Sequence, residues 1–219
     1  MIDMKKIGVM AGTVIDTQMG VDLLKEKGFD AYGYSVSKNC YEQDRLQFLS
    51  KEELENLVAE KIIDMKENSM DSCFVYCNSL SSAVDFRKLA EKLKFKIITP
   101  YDAYNVIGND YEFLYILAAN SISTKNIEEF IKNINPEIKF LSLGFLSLVN
   151  KIEKYENKNE IIKQAAIKEL IDFLEKIEPE IKSKAIILAC THFPYIKEEI
   201  ISMTTLEIVD PAEKMIELL

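Results

Sequence analysis

The chain has 219 residues, 48% of them hydrophobic, enough for one sizeable core or two small lobes. A formal net charge of −9 argues against an extended phosphate-binding surface, so nucleic acid is not an expected partner. No apolar run approaches the roughly 20 residues that span a bilayer, and Met1–Lys6 lacks a signal-peptide core, so no membrane association and a cytoplasmic location are expected.

Lys6–Ala11 reads as a buried strand, followed by a helix near Thr17–Lys27 and a second strand over Asp30–Tyr34. Lys51–Asn68 is a long amphipathic helix with Leu54, Leu57, Val58, Ile62 and Met65 at helical spacing. Ser72–Tyr76 is a third strand, Ser82–Leu93 a helix, and Lys96–Ile98 a fourth strand stopped by Thr99-Pro100. The rhythm then restarts near Pro100 with strand Glu112–Ala118, helix Lys125–Asn133 and strand Lys139–Leu143. A long helical region over Asn159–Ile177 ends at Glu178-Pro179. Strand Ala185–Ala189, a helix opening at Pro194, strand Glu207–Val209 and helix Ala212–Leu218 complete the chain. Acidic stretches at Lys51–Glu60 and Lys151–Glu160 read as solvated helix faces. Short apolar strands interleaved with helices predict an α/β fold with mainly parallel sheets covered on both faces.

Two blocks carry the chemistry: Val75-Tyr76-Cys77-Asn78-Ser79-Leu80-Ser81 and Leu188-Ala189-Cys190-Thr191-His192-Phe193-Pro194. Each is an apolar run ending in cysteine, then a small polar residue and a helix-start signal. The cysteines are 190 − 77 = 113 residues apart, about half the chain, which fits two similar lobes. In open parallel sheets ligands bind beyond the carboxyl ends of the strands, where both cysteines are expected. Helix N-termini there favour a thiolate and bind carboxylates. Asn78, Ser79 and Thr191 add donors, and His192 is positioned to assist Cys190. In the first strand-to-helix connection Asp16, Thr17 and Gln18 are site candidates, with a helix cap and a solvated glutamine as the alternative. Of the other cysteines, Cys73 reads as a buried small hydrophobe and Cys40 as incidental. Four scattered cysteines and one histidine do not space as a closed zinc site, so no metal is expected. Gly8-Val9-Met10-Ala11-Gly12 is no dinucleotide fingerprint, and no P-loop is present.

Cys-Asn-Ser at 77–79 and Cys-Thr-His-Phe-Pro at 190–194 resemble the Cys-Asn-Thr-Ala and Gly-Cys-Thr-His-Tyr-Pro signatures of the cofactor-independent aspartate/glutamate racemase superfamily. Leu117–Ser121, Leu143–Glu153 and Ile208–Glu213 are similar to further segments of that family. The resemblance implies two pseudo-symmetric lobes with the active site between them. The first would span 1–99 and 206–219 and carry Cys77; the second would span 100–205 and carry Cys190. It implies no pyridoxal phosphate or other cofactor, and a homodimer. Cys77 and Cys190 would be the acid/base pair assisted by His192. Asn78, Ser79, Thr191, Thr13, Asp16, Gln18, Asn120 and Ser121 would bind an amino-acid or dicarboxylate substrate. Two departures touch the substrate grip. Ala11-Gly12-Thr13 stands where the glutamate branch has Asp-Ser-Gly, and Ser35–Tyr41 where it has Pro-Tyr-Gly. A related cysteine-dependent isomerase or decarboxylase, and an inactive amino-acid-binding relative, are the competing readings.

Overall fold

The computed structural model describes residues 4–38, 42, 48–154 and 157–219. The chain divides into two compact units, one running to Asp102 and including Ala212–Leu219, the other spanning Ala103–Pro211.

In the first unit, strands β1 (Lys6–Met10), β2 (Asp30–Gly33), β3 (Ser72–Val75) and β4 (Lys96–Ile98) form a parallel sheet in the order β2-β1-β3-β4. Helices α1 (Val14–Glu26), α2 (Lys51–Glu67), α3 (Asn78–Ala83) and α4 (Phe86–Leu93) connect them. Both long helices begin with a capping box, Thr13 with Asp16 and Ser50 with Glu53, which satisfies amide groups that the first turn leaves open. Leu54, Val58, Ile62 and Met65 of α2 are buried as their spacing predicts. A side chain at Gly20 of α1 would lie 2.8 Å from Val9 and 2.9 Å from Tyr76, so glycine lets this helix approach the sheet closely.

In the second unit, β5 (Phe113–Ala118), β6 (Lys139–Gly144), β7 (Lys184–Ala189) and β8 (Glu207–Val209) repeat the pattern in the order β6-β5-β7-β8, again parallel. The unit boundary falls inside α5 (Pro100–Asp110). Helices α6 (Ser121–Ile134), α7 (Leu146–Glu153), α8 (Lys158–Gln164), α9 (Ile167–Leu174) and α10 (Lys197–Ile201) flank this sheet, with a 3-10 turn at Phe193–Ile196. Tyr115 is fully buried in β5 and donates its hydroxyl to the carbonyl of Leu174, tying α9 to the sheet. The final helix, α11 (Pro211–Glu217), returns to the first unit, where Lys96 Nζ donates to the Leu218 carbonyl at 2.6 Å.

Several expectations are corrected. The last strand was grouped with the first lobe, yet β8 pairs with β7, and only residues from Ala212 onward join the first unit. Thr99-Pro100 stops β4 at Ile98 as expected, and Pro100 also opens α5, since its missing N–H is tolerated in a first turn. The single helix expected over Ser82–Leu93 is two, separated by extended Val84 and recapped by Asp85. The long helix expected over Asn159–Ile177 is also two, broken where Ala166 takes a left-handed φ of 51°. The second sheet is not covered on both faces throughout: along β6, Lys139, Leu141 and Leu143 are exposed. Cys40 and Tyr41 lie outside the described residues. Among the described residues, no helix is long and apolar enough to cross a membrane.

Candidate active site

In the first unit, β3 carries the chain to the carboxyl edge of the sheet and delivers Cys77 one turn later as the N-cap of α3. The β1–β3 register pairs Met10 with Val75, so Cys77 follows beside the Gly12 turn. Cys77 and Asn78 are each 6% exposed, and Ser79 is half-buried. The Cys77 carbonyl accepts from the Ser81 amide and from the Ser81 hydroxyl at 2.7 Å, which fixes the turn behind the thiol. Ser82 donates to the Ser79 carbonyl, and burial pushes the nearby Tyr101 phenol up to about 12 although its hydrogen bond with Ser82 opposes the shift. Thiol and small polar residues thus share one rigid corner.

The first strand-to-helix connection is closed on its own capping box. Thr13 and Asp16 are 1% and 2% exposed, and the Asp16 carboxylate accepts the amides of Gly12 (3.2 Å) and Thr13 (2.6 Å) and the Thr13 hydroxyl (2.8 Å). Ser37 also closes on the turn, donating both N–H and hydroxyl to the Gly12 carbonyl. Asp16 therefore serves as a helix cap. Gln18 is exposed and donates to Asp22 Oδ1 one helical turn away, the solvated alternative weighed for it.

In the second unit, β7 ends at Ala189 and Cys190 follows at the carboxyl edge. The Cys190 carbonyl accepts from the Phe193 amide, and fully buried Phe193 anchors the 3-10 turn that Pro194 stiffens. Cys190 and His192 are each 6% exposed, with Sγ 3.6 Å from Nδ1. The other ring nitrogen, Nε2, lies 3.2 Å from Glu153 Oε1 at the end of α7. A carboxylate on one imidazole nitrogen holds the ring in one orientation and stabilises it when protonated. The opposite nitrogen can then take a proton from the thiol and return it. This is the support a thiol needs to act as a base near neutral pH.

Glu153 is the residue that sequence reasoning missed. It sat within a stretch assigned to solvated faces, yet its side chain is 12% exposed. Its position offered a signal: Val149 and Ile152 mark the buried stripe of α7, and Glu153 stands four residues after Val149 on that side.

Asn120 caps α6 and accepts from the Ser123 amide at 2.9 Å, while Ser121 is exposed beside it. The β5–β7 register pairs Ala118 with Ala189, so Asn120 and Ser121 emerge next to Cys190 and Thr191 on the same edge. Gly144 completes this edge, because a side chain there would meet the Asn120 backbone at 2.6 Å. Cys73 lies mid-strand with no exposure, and burial pushes its thiol up, in keeping with a structural role. Among the described residues, no group of three or more His, Cys, Asp or Glu side chains is placed to hold a metal ion.

No family model matches the chain. By sequence it is similar to glutamate racemase 3 of Caldanaerobacter subterraneus, 26% identical over 171 residues, covering 76% of this chain and 60% of that protein. It is also similar to the glutamate racemase of Fusobacterium nucleatum, 27% identical over 180 residues, covering 77% and 62%. The chain thus spans about three fifths of the length of these curated relatives. Its fold is similar to that of the Francisella tularensis glutamate racemase solved with D-glutamate, with a TM-score of 0.67, 19% identity and coverage of 99% and 80%. It is likewise similar to an aspartate racemase homologue from Pyrococcus horikoshii, with a TM-score of 0.65, 16% identity and coverage of 98% and 99%. The chain is thus similar in sequence to glutamate racemases, and its two helix-flanked parallel sheets are similar in fold to those of glutamate and aspartate racemases.

Proposed function

We propose that the chain is a cofactor-independent amino-acid racemase of the glutamate/aspartate type, with Cys77 and Cys190 as acid and base on opposite faces of the substrate Cα. The observation that carries this reading is the Cys190–His192–Glu153 arrangement, which equips a buried thiol for proton transfer.

One thiolate removes the Cα proton while the thiol on the other face donates its own. The product leaves with inverted configuration and the two sulfurs have exchanged protonation states. The reverse substrate starts from the exchanged form, so both directions use the same pair. Cα–H is a weak acid, and the developing negative charge needs aimed donors in a water-poor site. Asn78, Ser79, Thr191 and Ser121 supply such donors next to the two thiols. The closed Asp16 cap takes the Gly12 and Thr13 amides out of that set, so Thr13 and Asp16 hold the turn in this reading, while Gln18 bonds to Asp22 on the exposed face of α1.

Free thiols suit a reducing compartment, which agrees with a cytoplasmic protein. The homodimer that the family resemblance implies belongs to the same proposal. The test is a panel of amino-acid enantiomers incubated in heavy water and followed by NMR and polarimetry. Loss of the α-proton signal with decay of optical rotation for glutamate or aspartate supports the reading. Binding without exchange for every enantiomer supports an inactive relative, and a thioether or thioester adduct on one cysteine supports covalent chemistry.

A further inference from the structure

We propose that Lys158 is a positioning residue for the Cys190 thiol: it clamps the turn that carries His192 to the helices that carry Glu153, and so sets the separation of that pair. The inference deepens the racemase reading and rests on it, because the relay it serves is the proposed proton relay of Cys190.

The Glu153–His192 contact at 3.2 Å joins residues 39 apart, one at the end of α7 and one at the head of the 3-10 turn. A pair this distant in sequence keeps its geometry through the groups around it. α7, α8 and the 3-10 turn pack pairwise on one another. Lys158, the first residue of α8, adds a polar tie between the same segments. Its ammonium lies 3.3 Å and 3.5 Å from the two carboxylate oxygens of Glu199 on α10, a bond across 41 residues. It also stands 5.1 Å from the centre of the Tyr195 ring. Tyr195 passes this hold on, since its amide donates to the His192 carbonyl at 3.1 Å. On the other side Lys151 of α7 donates to Gln164 of α8, which ties α8 back to the helix that ends at Glu153.

Three features separate Lys158 from an ordinary surface lysine. The pairs Lys51–Glu55 and Lys125–Glu129 link residues four apart on single helices, with lysines 71% exposed; Lys158 links two segments and is 39% exposed. A cation in the first turn of a helix opposes the helix dipole, so its charge does not serve α8 itself. One ammonium also takes both a carboxylate and an aromatic face, which fixes its place better than either contact alone.

His192 is the only histidine of the chain, so its imidazole signals in a nitrogen-15 NMR spectrum need no assignment. Without substrate, Glu153 should hold the Nε2 proton of the wild type in slow exchange with solvent. Lys158→Met removes an ion pair and a cation–π contact, together worth about one order of magnitude. It should speed exchange of the Nε2 proton, and slow Cys190 alkylation and racemisation, each by about tenfold. KM should stay within about twofold, because Lys158 is assigned no contact with substrate. Lys158→Arg, which keeps the charge and the ring contact, should restore all three to within about twofold. In a Glu153→Gln background, Lys158→Met should change alkylation by less than about twofold, since the contact it sets is already gone.

Unaltered exchange in Lys158→Met, no rescue by arginine, or the full further loss in the double variant would overturn the proposal. If Lys158→Met does not fold, Glu199→Gln decides: about threefold faster exchange supports the clamp, and wild-type exchange contradicts it. Exchange and alkylation are read without substrate, so they judge the clamp whether or not any amino-acid enantiomer is racemised.

Discussion

In the first unit the cysteine follows β3 and caps a six-residue helix, with Asn78 and Ser79 next in the chain; in the second it follows β7 beside an imidazole and a carboxylate. β3 and β7 hold the same place in their sheets, next to the central strand and inside the last. Topology therefore fixes where each thiol emerges, whereas its neighbours fix how it can exchange a proton. The same contrast holds in the loop after each central strand. After β1 the loop is closed on Asp16, while after β5 it is capped by Asn120 and leaves Ser121 exposed.

Removing one thiol at a time tests the comparison most severely. Cys77→Ala and Cys190→Ala should each lower racemisation by at least about a thousandfold, within the range that positioned acid–base groups contribute. Polarimetry on both enantiomers checks this, and full activity in either variant would break the equivalence of the two units.

The next contrast is among the cysteines themselves. Burial raises the Cys73 thiol, so at neutral pH it presents less thiolate than an ordinary cysteine. Iodoacetamide followed by peptide mass mapping should label Cys77 and Cys190 at least about a hundredfold faster than Cys73. Labelling of Cys73 first would contradict the burial assigned to it.

Glu153→Gln sharpens the difference between the units. It removes the carboxylate behind His192 and should slow Cys190 alkylation and racemisation by about ten- to a hundredfold, the usual scale for orienting partners. Alkylation of Cys77, which belongs to the other unit, should not change. Equal slowing at both cysteines would show a general loss of structure instead of a local relay.

The smallest effects separate caps from substrate contacts. Thr13→Ala removes an N-cap and should cost about 1 kcal/mol, or roughly 2–4 °C in Tm for a chain of this size. Ser50→Ala, which breaks the other capping box, is the control and should match it. Gln18→Ala should leave KM within about twofold, as expected of an exposed substitution. A large KM rise for Gln18→Ala would return that residue to the substrate.

Much of this was legible in the sequence because strand runs and cysteine turns are local signals. Lys96–Ile98 and Glu207–Val209 match their expected bounds, and both cysteines stand at the strand ends where the apolar runs stop. What was not legible depended on tertiary context. Nothing in Ala165-Ala166 warns of a helix break, since alanine is the strongest helix former, yet Ala166 takes a positive φ. Thr99-Pro100 signalled the end of β4, which is where it ends, but not that Pro100 would open a helix. The Glu153–His192 pair joins residues 39 apart, which no local pattern encodes. The pairing of β8 with β7 depends on strand order, and strand order is invisible to periodicity.

The central claim is that two separate sulfurs handle the two faces of Cα. It is tested most directly by following solvent deuterium into wild-type product and unreacted substrate at low conversion. The account predicts label at Cα of the product while recovered substrate stays unlabelled, because the base on each face removes one proton and the opposite thiol delivers another. Label entering substrate as fast as product would mean a single group serving both faces, and would contradict the account.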